Sequence, residues 1–469
     1  MPERQIYLLS PKELSPETIA VAFAKTSRSP ETFHEIASAL TEEKSAQFHE
    51  KWVVGYGHAS VAEHAVLHLA FENVSRLAIE MIESNRLASY TEKSTRYQKW
   101  GVDNFFVPPE LDGHPLRARY IETCSLLFRT YTDSLEPLRS IVLERSARRE
   151  NETVEALDRR VRSQYVDTCR FLLPASSLAN VGMTANARVL ENMIRKMLSH
   201  ELIEVKQIGE RVKTVAKSEI PTLVKYADAA PHWMETTQML RSEATAFRSG
   251  EDGWCSLIDY DPDGEQKVLA AALYRFGETS FTDALAYVKS LGAAEQSKLA
   301  DILLQNLGEH DIPIREFEYS TYLFDLMMDQ GAYAEFKRHR MMTQTPQALT
   351  TRLGYAMPSL IIAAGFESPY RRAMDEAAAM YEELHGFNPE VAQYVVPNGY
   401  HRRVLARFNL REAYHFCQLR AAANAHYSIR RIAYRMHQQL MSVHPTLSNF
   451  MHLPDETWQS VEEKYFSIA

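Results

Sequence analysis

The feature that most constrains this chain is that it carries one pattern twice. Residues 169–205 read CRFLLPASSLANVGMTANARVLENMIRKMLSHELIEV, and residues 392–429 read AQYVVPNGYHRRVLARFNLREAYHFCQLRAAANAHYSI. Each runs an apolar stretch into a proline, Pro174 or Pro397. Twelve residues later comes an Asn-x-Arg, Asn186 and Arg188 or Asn409 and Arg411, followed by an amphipathic stretch. Both landmarks are spaced by 223 residues, and Pro221 and Pro445 repeat at 224. Self-similarity at a fixed spacing marks a repeated structural unit. Upstream, SNRLASYTEKSTRY from Ser84 lines up with RHRMMTQTPQALTT from Arg338 at a spacing of 254, so the first copy holds about 31 extra residues. The charged stretch Pro137–Arg162 is where they are expected.

Alternation at period two predicts a strand before each of these segments. Leu67, Leu69 and Phe71 mark it in the first copy, and Phe317, Tyr319, Thr321 and Leu323 in the second, with His58 and His310 just upstream. Ser75 and Asp329 are expected to cap helices running into Arg86 and Arg340. Turn formers cluster between Asp228 and Lys267, the expected connector. The chain thus divides into copies at 1–235 and 236–469, each with a strand, a helix, an irregular basic segment and long helices.

Composition narrows the class. Lys+Arg 52 against Asp+Glu 61 gives a net charge of −9 over 469 residues, with 45% hydrophobic and 24% charged. That is ordinary for a soluble globular protein and poorly suited to general nucleic-acid binding. No apolar run approaches the ~20 residues of a spanning helix, and the proline-broken N-terminus lacks a signal-peptide core. Four scattered cysteines, Cys124, Cys169, Cys255 and Cys417, form no CxxC pair, which argues for a reducing compartment. A cytoplasmic location without membrane or nucleic-acid partners is expected.

Three constellations are candidates for chemistry. Arg338-His339-Arg340 suits either the negative end of a helix dipole or the binding of a phosphate or an electron-rich ring. Glu92-x-Ser94-x-Arg96-Tyr97 puts acceptor, hydroxyl and guanidinium on one side of an extended segment, suited to a phosphorylated sugar or to a solvated loop. In Gly57-His58-Ala59-Ser60-Val61-Ala62-Glu63-His64, sequential Glu63 and His64 face different ways, against a metal site, whereas Ser60 and Glu63 have the spacing of a capping box. Arg170 and Arg420 sit among apolar residues, where an arginine usually snorkels or meets a carboxylate.

Together, ESNRLASYTEKSTRY, YGHASVAEH and TANAR resemble the flavin-dependent thymidylate synthase (ThyX) family, whose signature runs from Arg-His-Arg to Ser-x-Arg-Tyr. The second copy matches through Arg338-His339-Arg340 and NLREAYHFCQLR. The resemblance implies an α+β fold, two tandem family domains, each a small, mainly antiparallel sheet packed by long helices. It also implies complementary losses. The first copy keeps Glu92, Ser94, Arg96, Tyr97 and Arg170, but has Ser84-Asn85-Arg86 for Arg-His-Arg and Met197 for the late arginine. The second keeps Arg338, His339, Arg340 and Arg420, but has Pro346, Ala348, Thr350 and Gln393. One composite site would then be nearly whole and its reciprocal badly damaged.

What the resemblance further implies is reductive methylation of dUMP at C5, with FAD as cofactor and methylenetetrahydrofolate and NADPH as co-substrates. By that carry-over Arg420 and Arg338 serve the chemistry, and Glu92, Ser94, Arg96, Tyr97, Arg170 and Arg420 bind the nucleotide. His58, Ser60, Glu63, Asn186, Arg188, Asn192, Arg338, His339, Arg340, Asn409 and Arg411 hold the flavin, and no metal is needed. The family's tetramer implies a homodimer that forms a pseudo-tetramer. Two departures stand out: Thr91 replaces the signature asparagine, and Glu335 a glutamine. They keep open alkylation of another uridine nucleotide, or binding of nucleotide or flavin without turnover.

Overall fold

The structure, a computed structural model, describes residues 5–94, 96, 98–244, 253–308 and 310–467. Tyr97 lies outside the described residues. Among the described residues, seven strands form two sheets. β1 (Val66–Ser75), β2 (Ala88–Glu92) and β3 (Leu178–Asn186) make one, in the order β1-β3-β2; β4 (Cys255–Tyr260), β5 (Thr321–Asp329), β6 (Thr343–Pro346) and β7 (His401–Asn409) make the other, in the order β4-β5-β7-β6. Every pairing is antiparallel. The second sheet buries Tyr322, Phe324, Leu326 and Met328 of β5 against Val404, Ala406 and Phe408 of β7, the inward half of a two-residue alternation. Among the described residues, no helix is long and apolar enough to cross a membrane.

The two sheets share one register. Ser75 opposite Leu178 becomes Asp329 opposite His401, and Glu92 opposite Val181 becomes Pro346 opposite Val404, at the spacings read from the sequence. Ser75 and Asp329 cap their helices as expected, accepting from the backbone N–H of Ala78 and Ala332. Both helices end early, at Glu83 and Phe336.

Two local expectations fail, and the connector carries structure of its own. The buried face of β5 is Tyr322, Phe324, Leu326 and Met328, not Thr321 and Leu323, while Phe317 and Tyr319 belong to a 3₁₀ turn (Arg315–Tyr319) before the strand. The cause is a bulge in β1 between Phe71 and Val74, with Asn73 at φ 55, which β5 lacks. One extra residue reverses the alternation on its N-terminal side. The connector contains a helix, Pro231–Ala244, and the added edge strand β4. Ser60 and Glu63 form no capping box, because Ala59–His64 is a 3₁₀ helix capped at His58 without a side-chain hydrogen bond.

The extra length of the first copy lies in its long helices. Leu116–Arg145 and Val154–Cys169 have 30 and 16 residues, against 21 and 4 in their counterparts Glu367–Phe387 and Pro389–Ala392. Repetition also extends beyond what the sequence displays. Glu17 accepts from the N–H of Thr222 and Leu223 after Pro221, as Glu265 does from Leu447 after Pro445.

By packing, the chain forms two compact units that interrupt one another in sequence. Unit 1 comprises residues 1–94, 104–117 and 176–248; unit 2 comprises 95–103, 118–175 and 249–469. Unit 2 therefore takes most of its longest helix, Leu116–Arg145, and the whole of Val154–Cys169 from the first copy. Within it the copies meet through reciprocal hydrogen bonds of 2.9 Å, Ala175 N–H to Val396 C=O and Asn398 N–H to Leu173 C=O, around the bridge Pro174–Pro397. Such reciprocity is the local signature of a two-fold relation.

Candidate active site

The irregular segment after β2 leaves the sheet at Glu92, where the carboxylate accepts from Arg76 Nη1 at 2.7 Å within unit 1. Ser94 also belongs to unit 1, and Arg96 to unit 2. Arg96 is drawn to Asp167, on the last turn of Val154–Cys169. Its Nε and Nη2 donate to the two carboxylate oxygens at 2.8 and 2.7 Å, a fork-to-fork pair. Nη2 also donates to the Asn424 carbonyl at 3.1 Å. Three residues on, Arg170 is buried in the 3₁₀ turn Arg170–Leu172. A Cβ at Gly331 would crowd Asp329 Oδ1 at 3.0 Å but meet Arg170 Nη2 only in ordinary contact at 3.6 Å.

The second copy supplies the facing groups. Glu335 is the penultimate residue of the short helix Gln330–Phe336, and three guanidiniums surround its buried carboxylate: Arg420 at 3.3 Å, Arg170 at 3.4 Å and Arg96 at 3.9 Å. Arg420, on the helix Leu410–Ala421, donates further to the Glu335 carbonyl and, through Nε, to His339 Nε2 at 2.9 Å. An arginine cannot accept, so His339 Nε2 carries the lone pair and Nδ1 the proton, which is donated to Glu412 at 2.9 Å. Glu412–His339–Arg420 is thus an oriented chain ending on the guanidinium.

Burial sets the protonation states. Burial first, and Arg420 next, hold His339 well below the usual histidine value; burial pushes the Glu412 carboxyl up to about 7. His426, whose Nε2 meets the Asp167 carbonyl at 3.1 Å, is depressed by burial and by Arg170 and Arg96. Burial raises Asp167 and lowers Arg420. Three guanidiniums gathered on one carboxylate make a cationic cluster, which suits an anionic ligand group.

Of the residues singled out in the sequence, unit 2 brings together Arg96, Arg170, His339 and Arg420 in direct contact or through Glu335. Arg338 is exposed and Arg340 half-buried beside them in sequence. His339 is buried with both ring nitrogens engaged, which fits positioning of Arg420 better than direct cofactor contact. Asn409 caps its helix, and Arg411 is held by the Pro313 carbonyl and Glu318. In unit 1, His58 and Ser60 line a cavity of about 550 Å³ with Phe23, Arg28, Trp52 and His64, within the size range of small-molecule sites. Glu63 pairs with Arg188, Asn186 caps its helix and Asn192 is exposed. The first copy's counterparts of Glu335, His339, Glu412 and Arg420 are Met81, Asn85, Val189 and Met197. A Cβ at Gly209 would stand 2.8 Å from Met197 Cβ, so that space is closed by helix packing.

Asp167, Glu412 and His426 escaped the sequence reading. Asp167 had a signal, a carboxylate one helical turn before an arginine in an apolar run. Glu412 had a weaker one, an acid three residues after the capping Asn409.

The fold and site define a class: duplicated antiparallel-sheet domains whose long helices gather arginines from both copies. A family model described as thymidylate synthase complementing protein matches residues 9–222 and 256–446, and the chain belongs to that family. It is 31% identical over 435 residues to a UPF0159 protein of Chlamydia muridarum, covering 88% of this chain and 82% of that one. A UPF0159 protein of Thermoplasma acidophilum is 29% identical, with 88% and 90% covered. A flavin-dependent thymidylate synthase of Clostridium tetani is 27% identical over 215 residues, 45% of this chain and 82% of that protein. Among solved structures, a UMP/dUMP methylase from Streptomyces cacaoi bound with 5-Br dUMP is similar at 19% identity and a TM-score of 0.34, covering 42% of this chain and 93% of that one.

Proposed function

We propose that this chain is an FAD-dependent methyltransferase acting on C5 of dUMP, with methylenetetrahydrofolate as carbon donor and NADPH as reductant. The observation that carries the reading is the gathering of Arg96 and Arg170 from one copy with Arg420 and His339 from the other within one unit. On this reading Arg96 and Arg170 hold the nucleotide phosphate, and Arg420, fixed by the Glu412–His339 chain, stabilises charge on the uracil ring. Glu92, Ser94 and Tyr97 stay as further candidates for nucleotide contact.

The donor set at Arg338 and Arg340 fits an anionic, planar cofactor, with His58, Ser60, Glu63, Asn186, Arg188, Asn192, Asn409 and Arg411 as further candidates. FAD held by these residues would supply the hydride. A thiolate route is disfavoured: all four cysteines are buried, and burial pushes Cys169 and Cys255 up to about 12 and Cys417 higher still. The copies are read as domains 1–235 and 236–469, two chains forming a pseudo-tetramer.

Release of tritium from C5-labelled dUMP, with FAD, folate and NADPH present, tests the reaction. Release from labelled UMP but not dUMP shifts the reading to another uridine nucleotide, a reading that Glu335 among the arginines favours. A colourless protein with no dUMP-dependent change on adding flavin overturns both.

A further inference from the structure

Glu335 stands where an anionic ligand group would be expected. Its carboxylate meets three guanidiniums at 3.3 to 3.9 Å, whereas the neighbouring Arg96–Asp167 pair closes to 2.7 and 2.8 Å. Short, forked contacts mark a settled charge-assisted pair; longer ones shared among three donors mark a looser counter-ion. One oxygen faces Arg170 and Arg96, the two arginines of the first copy, and the other faces Arg420. Helix stability does not account for this residue. Glu335 is the penultimate residue of Gln330–Phe336, and a helix C-terminus disfavours negative charge.

We propose that Glu335 is a built-in competitor for anionic ligands: its carboxylate neutralises the arginines in the unliganded protein, and a phosphate monoester must exchange with it at Arg96 and Arg170. The site thereby selects against small free anions. A ligand gains entry when its remaining contacts, such as those of a base and sugar, supplement the phosphate. This inference rests on the reading of the unit 2 arginines as a nucleotide site and adds to it a residue that sets charge selectivity.

The test uses the full chain as wild type, Glu335→Gln and Glu335→Asp. Inorganic phosphate, dUMP and uncharged deoxyuridine are titrated by calorimetry at ionic strength matched with chloride. Removing one like charge beside the ligand is worth at least about tenfold in affinity, so Glu335→Gln should bind phosphate and dUMP about tenfold more tightly than wild type. Glu335→Asp, which keeps the charge, should stay near wild type, and deoxyuridine should not respond. Phosphate bound by Glu335→Gln no better than by wild type overturns the proposal, as does an absence of phosphate binding to both. Should Glu335→Gln fail to fold in chloride, folding restored by phosphate supports it, and failure in both buffers overturns it. No flavin or turnover enters the readout. A phosphate gain without tritium release therefore leaves this proposal standing and removes the thymidylate reading.

Discussion

Arg96 has two tasks, and they separate experimentally. It is the forked partner of buried Asp167 and one of the three guanidiniums around Glu335. Arg96→Ala leaves Asp167 buried without its main counter-charge, which typically costs about 3–5 kcal/mol. Urea unfolding at pH 7 should show that loss, and Arg96→Ala with Asp167→Asn should recover most of it. Nucleotide binding should stay abolished in both variants. Recovery of binding in the double variant would mean that Arg96 serves only Asp167.

The buried titratable groups also set a pH response. His339 and His426 have folded values well below those of the unfolded chain, so the unfolded state takes up protons first as pH falls below 6.5 and stability drops. Glu412 works in the opposite sense. Its folded value is raised to about 7 from 4.5, so stability falls as pH rises through that window. The two trends partly cancel in the wild type. Glu412→Gln removes one, and its urea midpoint should fall more steeply from pH 7 to pH 5 than the wild type's. Parallel slopes would refute this assignment.

Among elements, the junction of β1 with the helix Arg76–Glu83 depends on one serine. Ser75 caps the helix through its hydroxyl while its N–H and O–H donate to buried Glu204 at 2.9 and 2.6 Å. Ser75→Ala removes a cap worth about 1 kcal/mol and leaves the carboxylate one donor short, for a total of about 2–3 kcal/mol. An exposed cap such as Thr457→Ala should cost about 1 kcal/mol or less. Calorimetric melting of the two variants checks the difference. Caps of this kind were legible because a Ser or Asp before an apolar period has a local cause. The bulge at Asn73 was not, since a single inserted residue leaves composition and spacing nearly unchanged while reversing which side chains face inward. β4 was hidden for a related reason: an edge strand added from a connector takes its identity from the strand it joins.

For the whole molecule, the candidate arginine cluster was legible through what each copy lacks, because side-chain identities at repeat-related positions can be compared within one sequence. The pairings of Arg96 with Asp167 and of His339 with Glu412 were not, since they join residues 71 and 73 positions apart. Met81, Asn85, Val189 and Met197 in the first copy leave that set without the charges gathered in unit 2. Saturating flavin should therefore bind at about one per chain, measured by absorbance after gel filtration; two per chain would mean that both sets work. Light scattering should give twice the 53.7 kDa of one chain, and a monomer that still releases tritium would refute the dimer.

The interleaved path of the chain has a consequence for descent. Residues 118–175, which belong to the first copy, are part of the compact unit built around the second. A gene cut near codon 235 would yield a second half deprived of part of its own interior, so neither half can be discarded by a simple deletion. Under that tie, a mutation that erases Arg-His-Arg from one half is shielded while the other keeps it. Selection then acts on the pair as a single heritable unit.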